Sequence, residues 1–238
     1  MTEKETIDYW SRAGTAHGRV VNATRQWIKI ATWRAVVGGS LFLKRTVDLL
    51  VALLTLAIWS PLILLVILLI KIEDGGPIFF RQTRVGLRGR TFGMWKFRSM
   101  VLNADALKDK LLEKNEMKNG VVFKMKNDPR ITRVGKWIRK FSVDEVPQLW
   151  NVIEGHMSLV GPRPPVPREV RMYTIEDRLR LLAKPGLTCS WQVGGRNAID
   201  FAGQVRLDVD YIRSKSIWLD CKLLLKTVPA VLLGKGAY

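Results

Sequence analysis

The sequence has little of two residue types that build many catalytic and structural sites, cysteine and histidine. Among its 238 residues only Cys189, Cys221, His17 and His156 belong to these types. The cysteines form neither a metal-binding spacing nor a CxxC pair, so the pattern disfavours a disulfide scaffold and indicates two buried thiols. Two histidines exclude a multi-histidine zinc site and leave little for Ser-His-Asp chemistry. Any catalysis must therefore use carboxylates, lysine, arginine or hydroxyl groups.

Negative charge is scarce as well. The chain has 39 Lys and Arg residues against 21 Asp and Glu residues, which gives a net charge of +18. This balance predicts an anionic partner, such as nucleic acid, an anionic lipid surface or a phosphorylated substrate. No helix-turn-helix pattern or aromatic RNA-binding signature accompanies the charge. A membrane-tethered module that binds nucleic acid or anionic lipid is therefore kept only as the alternative function.

One long stretch contains no charge at all. Residues Leu49 to Ile70 form an uncharged apolar run of 22 residues, and a helix that crosses a membrane needs roughly 20. The core helix of a soluble protein is rarely apolar on all its faces over such a length. We therefore expect this segment to enter a lipid bilayer.

Two features of this run favour a hairpin in the membrane over a plain span. Pro61 cannot donate a hydrogen bond to the Ala57 carbonyl, and Ser60 is expected to bond back to the Leu56 carbonyl and bend the helix further. Both flanks are rich in Lys and Arg, whereas a spanning helix would place one basic flank outside. We predict a re-entrant helix-break-helix that turns at Ser60 and Pro61. A proline-kinked spanning helix is the alternative.

The other segments predict a small α+β unit. Short strands at Ile78–Phe80 and Thr91–Phe97 surround a glycine-rich turn and indicate a β-hairpin. Residues 169–182, 201–212 and 218–233 have a helical pattern, and residues 191–196 indicate a strand followed by a turn. Residues 25–37 fit either a basic helix at the membrane interface or a frayed extension.

The predicted fold class is α+β, in a monotopic membrane protein. It has one re-entrant N-terminal hydrophobic helix-break-helix, amphipathic interfacial helices and a small β-hairpin or sheet. Three parts are predicted: an N-terminal extension (1–42), the re-entrant helix (43–72) and a cytoplasmic catalytic domain with interfacial helices (73–238).

Two adjacent acids, Asp144 and Glu145, precede a short apolar segment that contains Pro147. One interpretation is structural, because Ser142-x-x-Glu145 fits a capping box and acids suit the first turn of a helix. The other is catalytic, because a helix N-terminus keeps a carboxylate ionised and also attracts phosphate. An ionised Asp144 could attack phosphorus, with Glu145 holding Mg²⁺ together with phosphate oxygens and water. The dyad alone favours the capping interpretation.

Several basic residues stand in settings suited to an anion. Arg163 lies in a proline-stiffened GPRPP loop, and arginine binds phosphate through two parallel hydrogen bonds. Lys96 and Arg98 alternate with Phe97, so both are expected on one face of a strand. Each such residue alone is more often a solvated surface charge. Together, and after a membrane segment, they predict an organised anion site.

A series of ordered motifs between about residues 43 and 233 resembles one protein family, the bacterial sugar transferases. Members of this family are monotopic polyprenyl-phosphate phosphoglycosyl transferases. The motifs are Lys44-Arg45-x-x-Asp48, Ser60-Pro61, Lys96-Phe97-Arg98-Ser99-Met100, Asp144-Glu145-x-Pro147-Gln148-Leu149-x-Asn151, Ser158-Leu159-Val160-Gly161-Pro162-Arg163-Pro164, Lys184-Pro185-Gly186-Leu187-Thr188, Gly195-Arg196-Asn197 and Leu207-Asp208-x-x-Tyr211.

This resemblance implies a reaction and a site. Asp144 is implied as the nucleophile, which takes a phosphosugar from a UDP-sugar and releases UMP, and Glu145, with Asp144, as the Mg²⁺ ligand. Polyprenyl phosphate (undecaprenyl phosphate) would then attack the intermediate to give a polyprenyl-diphosphate sugar. The residues implied to lie near the substrate phosphates are Arg139, Arg163, Lys96, Arg98, Arg196, Asn197 and Asp208.

The resemblance also implies a setting. The expected partners are a UDP-sugar, polyprenyl phosphate and the lipid bilayer, with no nucleic acid, and a homo-oligomer is left open. The expected location is the cytoplasmic face of a bacterial inner membrane. There the reaction would begin a surface glycan such as an exopolysaccharide, a capsule or lipopolysaccharide. An inactive scaffold of the same family is a second alternative.

Overall fold

A computed structural model of the chain describes residues 15–104, 106–107, 128–194 and 199–232. Its backbone packing divides the chain into two compact units, Met1–Val47 and Asp48–Tyr238. The first element, helix α1 (Ala16–Asp74), begins in the first unit and ends in the second. Residues 25–37 are therefore helical, as one of the two sequence interpretations holds, and their place at a membrane interface stays a prediction.

Helix α1 continues without interruption through Ser60 and Pro61. This structure therefore shows no break between two helices at Ser60 and Pro61, and a re-entrant path through a bilayer stays a prediction. Pro61 lacks the N–H that would reach the Ala57 carbonyl, and the Ser60 Oγ donates to that same carbonyl oxygen at 2.8 Å. The serine bonds to Ala57 rather than to Leu56 as expected, and it satisfies the acceptor that the proline leaves vacant. The helix can thus continue past the proline.

The part of α1 in the second unit has one packed stripe and wide apolar exposure elsewhere. Val66 and Ile70 are buried against Phe97, Ile138 and Val143. By length and composition this helix could cross a membrane, and the exposed apolar side chains exclude a fully buried core helix. Side chains at least half exposed are Leu50, Leu53, Leu54, Ile58, Leu64, Leu68 and Ile72.

The predicted hairpin is confirmed, and its first strand is longer than the sequence indicated. Strands β1 (Phe79–Val85) and β2 (Thr91–Phe97) pair antiparallel, with Phe79 opposite Phe97 and Val85 opposite Thr91. A 3-10 turn, Leu87–Gly89, connects them and places Arg88 at φ 55° and Gly89 at φ 78°. The hairpin fixes the direction in which the side chain of Lys96 points from β2.

The rest of the second unit is mostly helical, so the α+β class is consistent with the structure. A second, parallel pair of short strands aligns Ser158 with Gly186 and Val160 with Thr188. The elements in chain order are α2 (Arg133–Lys140), a 3-10 turn (Val143–Glu145), α3 (Gln148–Glu154), β3 (Ser158–Val160), α4 (Pro167–Arg171), a 3-10 helix (Asp177–Leu182), β4 (Gly186–Thr188), α5 (Ser190–Gly194), α6 (Phe201–Ser214) and α7 (Ile217–Leu232).

Two local predictions are corrected. The predicted strand at 191–196 begins as helix α5, because a short apolar run has no periodicity that separates strand from helix. The predicted helix over 169–182 is interrupted between α4 and the 3-10 helix. There the Asp177 carboxylate accepts from Thr174 N at 2.9 Å, and the Thr174 hydroxyl accepts from Asp177 N at 3.2 Å. Such side-chain bonds compete with a continuing helix and start a new turn.

One apolar cluster joins the hairpin, α3, β3 and the C-terminal helices. Phe92 and Met94 of β2 pack with Leu149 and Val152 of α3 and with Leu159 of β3. Burial of such side chains contributes about 1.5–3 kcal/mol each. The cluster presses α3, and the 3-10 turn that precedes it, against the strand that carries Lys96.

Candidate active site

The structure brings the two predicted acids together with Lys96. The Lys96 Nζ lies 2.8 Å from Glu145 Oε1 and 3.9 Å from Asp144 Oδ2. Asp144 is buried, and the side chain of Glu145 is about one quarter exposed. Lys96 therefore stands between two adjacent carboxylates and forms its close hydrogen bond with the second.

The capping interpretation of these acids is not supported. Ser142 lies in the left-handed region at φ 55°, and its side chain makes no cap hydrogen bond to the 3-10 turn. Glu145 instead directs its carboxylate to Lys96. The α-helix begins only at Gln148, so Asp144 occupies the turn before the helix rather than the helix N-terminus. The acids thus face the strand and not their own backbone.

Burial and neighbouring charges shift the pKa values of Asp144 and Glu145 in opposite directions. Burial raises the pKa of Asp144, with a further contribution from Glu145, and attraction to Lys96 and Arg139 opposes the rise. Burial also disfavours ionised Glu145, but attraction to Lys96 and Arg163 outweighs it and lowers the pKa of Glu145. The expectation that the backbone alone keeps Asp144 ionised is therefore incomplete. Its ionised form depends on the surrounding cations.

Arg163 is held next to these acids by a tightly packed loop. Gly161 N donates to Thr188 O at 3.0 Å, and Gly186 N donates to Pro162 O at 2.9 Å. A Cβ at Gly186 would lie 2.1 Å from Gly161 N, so the close approach requires glycine. The Arg163 guanidinium lies 6.0 Å from the centre of the Trp191 ring, within the range of a cation–π contact.

The sequence analysis did not single out Arg84, yet it lies beside Arg163. Its side chain is only 7% exposed. Its Nη1 donates to Pro164 O at 2.8 Å, while Nε and Nη2 donate to Gln82 Oε1 at 3.1 and 2.6 Å. Arg84 therefore supports the Gly161–Pro165 loop by its hydrogen bond to Pro164. The local sequence carries no signal for this role, because Arg84 and Val85 are both buried and the strand shows no alternation.

Several of these side chains line one open cleft. Its walls come from β1, β2, the Val143–Glu145 turn, the Gly161–Pro165 loop and the segment around β4. Three cations and one carboxylate dominate its polar surface, with two glutamines beside them. The lining residues are Arg84, Met94, Lys96, Glu145, Gln148, Arg163, Pro164, Gly186, Leu187 and Gln192.

Asn151 of the dyad motif fixes the strand and not a ligand. It is fully buried; its Oδ1 accepts from Trp95 N at 2.9 Å and its Nδ2 donates to Gly93 O at 2.9 Å. The amide thus pairs with the edge of β2 as a neighbouring strand would. We call these two hydrogen bonds the Asn151 clamp. Because Lys96 follows Trp95 directly, the clamp sets the position of Lys96 relative to Asp144 and Glu145, which lie in the turn before the helix that carries Asn151.

The other predicted site residues have different positions. Arg139, in the last turn of α2, acts on Asp144 through its charge. Arg98 follows the end of β2 and forms an ion pair with the exposed Asp74 at the end of α1, whereas Lys96 pairs with Glu145. Arg196 and Asn197 lie outside the described residues.

Asp208 lies close to this region but does not line the cleft. It forms a buried ion pair with Arg180, which also donates to the Tyr173 hydroxyl at 3.2 Å. Burial raises the pKa of Asp208 to about 6, and attraction to Arg180 and Arg163 opposes this rise. Asp208 is thus electrostatically linked to Arg163 without lining the cleft.

Comparison with known proteins shows the family. A family model described as bacterial sugar transferase matches residues 39–234. The chain belongs to the bacterial sugar transferase family, which confirms the resemblance carried by its motifs.

Three relatives illustrate the similarity. The chain is 48% identical over 198 residues to "Galactosyl transferase CpsE" of Streptococcus agalactiae serotype III (strain NEM316), covering 83% of this chain and 44% of the relative. It is 45% identical to "Undecaprenyl-phosphate galactose phosphotransferase" of Salmonella typhimurium (strain LT2), covering 84% and 42%. It is 42% identical to "Exopolysaccharide production protein ExoY" of Sinorhizobium fredii, covering 82% and 88%. The chain thus spans less than half the length of the first two and most of the third.

Proposed function

We propose that this chain is a transferase that moves a sugar-1-phosphate from a UDP-sugar to polyprenyl phosphate. The products are a polyprenyl-diphosphate sugar and UMP. The observation that carries the proposal is the buried Asp144 beside Lys96 and Glu145. Lys96 and Glu145 line a cleft together with Arg84 and Arg163. A carboxylate beside a cationic cleft fits attack on a phosphate ester. The name of the Salmonella relative supports a lipid phosphate as acceptor.

The proposed chemistry has two steps at one phosphorus atom. A carboxylate oxygen of Asp144 forms a bond to the phosphorus that carries the sugar, and the bond from that phosphorus to the bridging oxygen breaks. UMP leaves with the electron pair. An oxygen of polyprenyl phosphate then attacks the same phosphorus and breaks the acyl-phosphate bond, which regenerates the Asp144 carboxylate. Both leaving groups are anions, so neither step needs a general acid from histidine.

The cations of the cleft have separate roles in this proposal. Lys96 keeps Glu145 ionised and lowers the cost of ionising Asp144. Arg163 is placed to neutralise phosphate oxygens as charge moves onto the leaving group. Asp208 acts indirectly, by its ion pair with Arg180 and by its attraction to Arg163.

The acids fit a magnesium ion that takes most of its ligands from elsewhere. Among the described residues no group of three or more acidic, histidine or cysteine side chains could hold a metal. Mg²⁺ is commonly held by one or two carboxylates together with substrate phosphates and water, and Asp144 and Glu145 would supply those carboxylates. When bound, the ion would neutralise phosphate charge near the nucleophile.

A lipid acceptor also accounts for the exposed apolar side chains of α1. The proposed location is the cytoplasmic face of a bacterial inner membrane, with the helix re-entrant and both flanks in the cytoplasm. Single cysteines at Ser40 and Ile72, in a variant without the native cysteines, would be labelled with a membrane-impermeant reagent in sealed vesicles of each orientation. Labelling from the same side supports the hairpin, and labelling from opposite sides contradicts it.

The direct test is UMP release by the full chain in nanodiscs with Mg²⁺ and undecaprenyl phosphate. The panel of donors begins with UDP-galactose and UDP-glucose, because the names of relatives contain galactose and glucose. We expect release with at least one donor, and a mass increase of one phosphosugar on a peptide containing Asp144 when the acceptor is omitted. Turnover that is retained in Asp144→Asn would contradict the mechanism, and no turnover with any donor would favour an inactive scaffold.

A further inference from the structure

Arg84 differs from the other cations of the cleft in how its charge is balanced. Lys96 forms an ion pair with Glu145, and Arg180 and Arg98 pair with Asp208 and Asp74. Arg84 is as deeply buried as these arginines, but it forms no ion pair with any described carboxylate. Its nearest charged neighbour on the loop, Arg163, has the same sign. A buried charge without a counter-ion is costly unless a ligand supplies one.

The hydrogen bonds of Arg84 leave part of its guanidinium available. An arginine has five N–H donors, and Gln82 and Pro164 accept from three of its nitrogens, one bond from each. One N–H on Nη1 and one on Nη2 therefore have no acceptor among the described residues. The bonds that are formed hold the plane of the guanidinium in place. A rigid guanidinium with two remaining donors suits a phosphate, which accepts two parallel hydrogen bonds.

We propose that Arg84 binds a phosphate group in this cleft, and that Arg84 and Arg163 form a two-arginine phosphate subsite. The assignment of that phosphate to a substrate rests on the proposed function. The subsite itself rests on the burial of Arg84, its missing ion pair and its place on the cleft wall.

The electrostatics of the cleft agree with this subsite. Burial lowers the pKa of Arg84 to about 10, and repulsion from Arg163 contributes in the same direction, while Glu169 and Glu145 oppose it. An anion bound between the two guanidiniums would relieve both the burial and the repulsion. Because Arg84 also donates to Pro164 O, an anion on Arg84 would hold the Arg163 loop in its observed position.

The test measures binding of inorganic pyrophosphate to the purified full chain by calorimetry, which needs no turnover. Arg84→Gln removes the charge, and Arg84→Lys keeps the charge but cannot hold the geometry of the fork. Arg81→Gln is the matched control, because Arg81 lies on the same strand, exposed, over the Trp95 ring. Thermal unfolding of each variant shows whether it is folded.

We expect Arg84→Gln to weaken pyrophosphate binding about tenfold or more, Arg84→Lys about threefold, and Arg81→Gln not at all. Wild-type affinity in a folded Arg84→Gln variant would overturn the proposal. If Arg84→Gln does not fold, Arg84→Lys decides, and its wild-type affinity would overturn the proposal equally.

Two further titrations distinguish the source of the phosphate. A loss confined to UDP assigns the subsite to the nucleotide sugar, and a loss confined to a short polyprenyl phosphate assigns it to the acceptor. Loss with neither probe counts against the subsite. Binding that depends on Arg84 in a protein without UDP-sugar turnover would keep the subsite and reject the proposed function. UDP-sugar turnover by the wild type, with unchanged pyrophosphate binding in the Arg84 variants, would keep the proposed function and reject the subsite.

Discussion

Two buried aspartates, Asp144 and Asp208, resemble each other in environment and differ in what surrounds their charge. Burial raises the pKa of both, and cations oppose the rise in both. Asp208 has a close ion pair with Arg180, which Tyr173 and Phe201 enclose. Asp144 has Lys96 only at 3.9 Å, because that lysine forms its close bond with Glu145.

This difference separates a structural acid from a reactive one. A raised pKa alone does not identify a nucleophile, since structural ion pairs also perturb pKa values. Asp208 Oδ2 accepts from Arg180, which would lose its counter-charge if Asp208 were neutralised. The carboxylate of Asp144 lies next to a cleft that is lined by Arg84, Lys96 and Arg163. The predictions below test this comparison, from the largest expected effect to the smallest.

The largest effect is expected for the activity of Asp144→Asn. Loss of the nucleophile should reduce UMP release by about a thousandfold or more. The free energy of unfolding at neutral pH should not fall, because the variant removes a charge that burial disfavours. Turnover assays and chemical denaturation of the same preparation provide both values. A collapse of stability would place Asp144 in the same structural class as Asp208.

Asp208→Asn should show the reverse pattern. Removing one partner of a buried ion pair leaves Arg180 without its counter-charge, and we expect a loss of about 3 kcal/mol in the free energy of unfolding. Asp210→Asn, two residues away on the exposed side of α6, is the control and should stay within about 0.5 kcal/mol of wild type. Denaturation midpoints measure the difference. Equal stability of the two variants would contradict the structural role.

Asn151→Ala should have an intermediate effect on stability. It leaves the Trp95 N–H and the Gly93 carbonyl without their partner, and an unsatisfied buried polar group costs about 1–3 kcal/mol. We expect a loss of about 2 kcal/mol, together with reduced turnover because Lys96 is no longer held in register. Trp150→Ala, an exposed neighbour on the same helix, should destabilise less. Unchanged turnover in a folded Asn151→Ala would show that the clamp does not position Lys96.

The smallest effect concerns the pH dependence of stability. The pKa of Asp144 is raised above its ordinary value of 3.8, so the folded state favours its protonated form. That contribution is complete below about pH 3.8 and is lost as the pH rises through the raised pKa. Relative to Asp144→Asn, the wild type should therefore lose stability as the pH rises above about 4. Denaturation of both proteins between pH 4 and 8 checks this, and a constant difference would contradict it.

Much of the site could be predicted because its motifs are local. Asp144, Glu145, Lys96 and Arg163 were identified from short patterns, and the structure brings them together. Arg84 was missed because its role depends on Pro164, which lies 80 residues away in the chain. Arg98 was grouped with Lys96 by alternation, although the strand ends between them and Asp74 takes its charge. Contacts between distant segments decide such cases, and short-range spacing carries no information about them.

The fold was predicted in the same uneven way. The hairpin and the helices at 201–212 and 218–233 follow from turn residues and regular apolar spacing, and all three are confirmed. The parallel pair β3–β4 was not predicted, because three-residue strands whose pairing is set by the Gly161 and Gly186 contact leave little periodic signal. The domain boundaries at 42 and 72 stay predictions.

The hydrogen bond from Ser60 to the Ala57 carbonyl has a mechanical consequence. In an ordinary helix, bending stretches a backbone hydrogen bond on the convex side, and this resists the bend. At Ala57 the acceptor is held by a hydroxyl on a rotating side chain, which can follow the carbonyl as the helix axis changes direction. The missing backbone hydrogen bond therefore lowers the resistance of α1 to bending at this turn. A straight and a bent form of the helix can interconvert there without leaving that carbonyl unsatisfied.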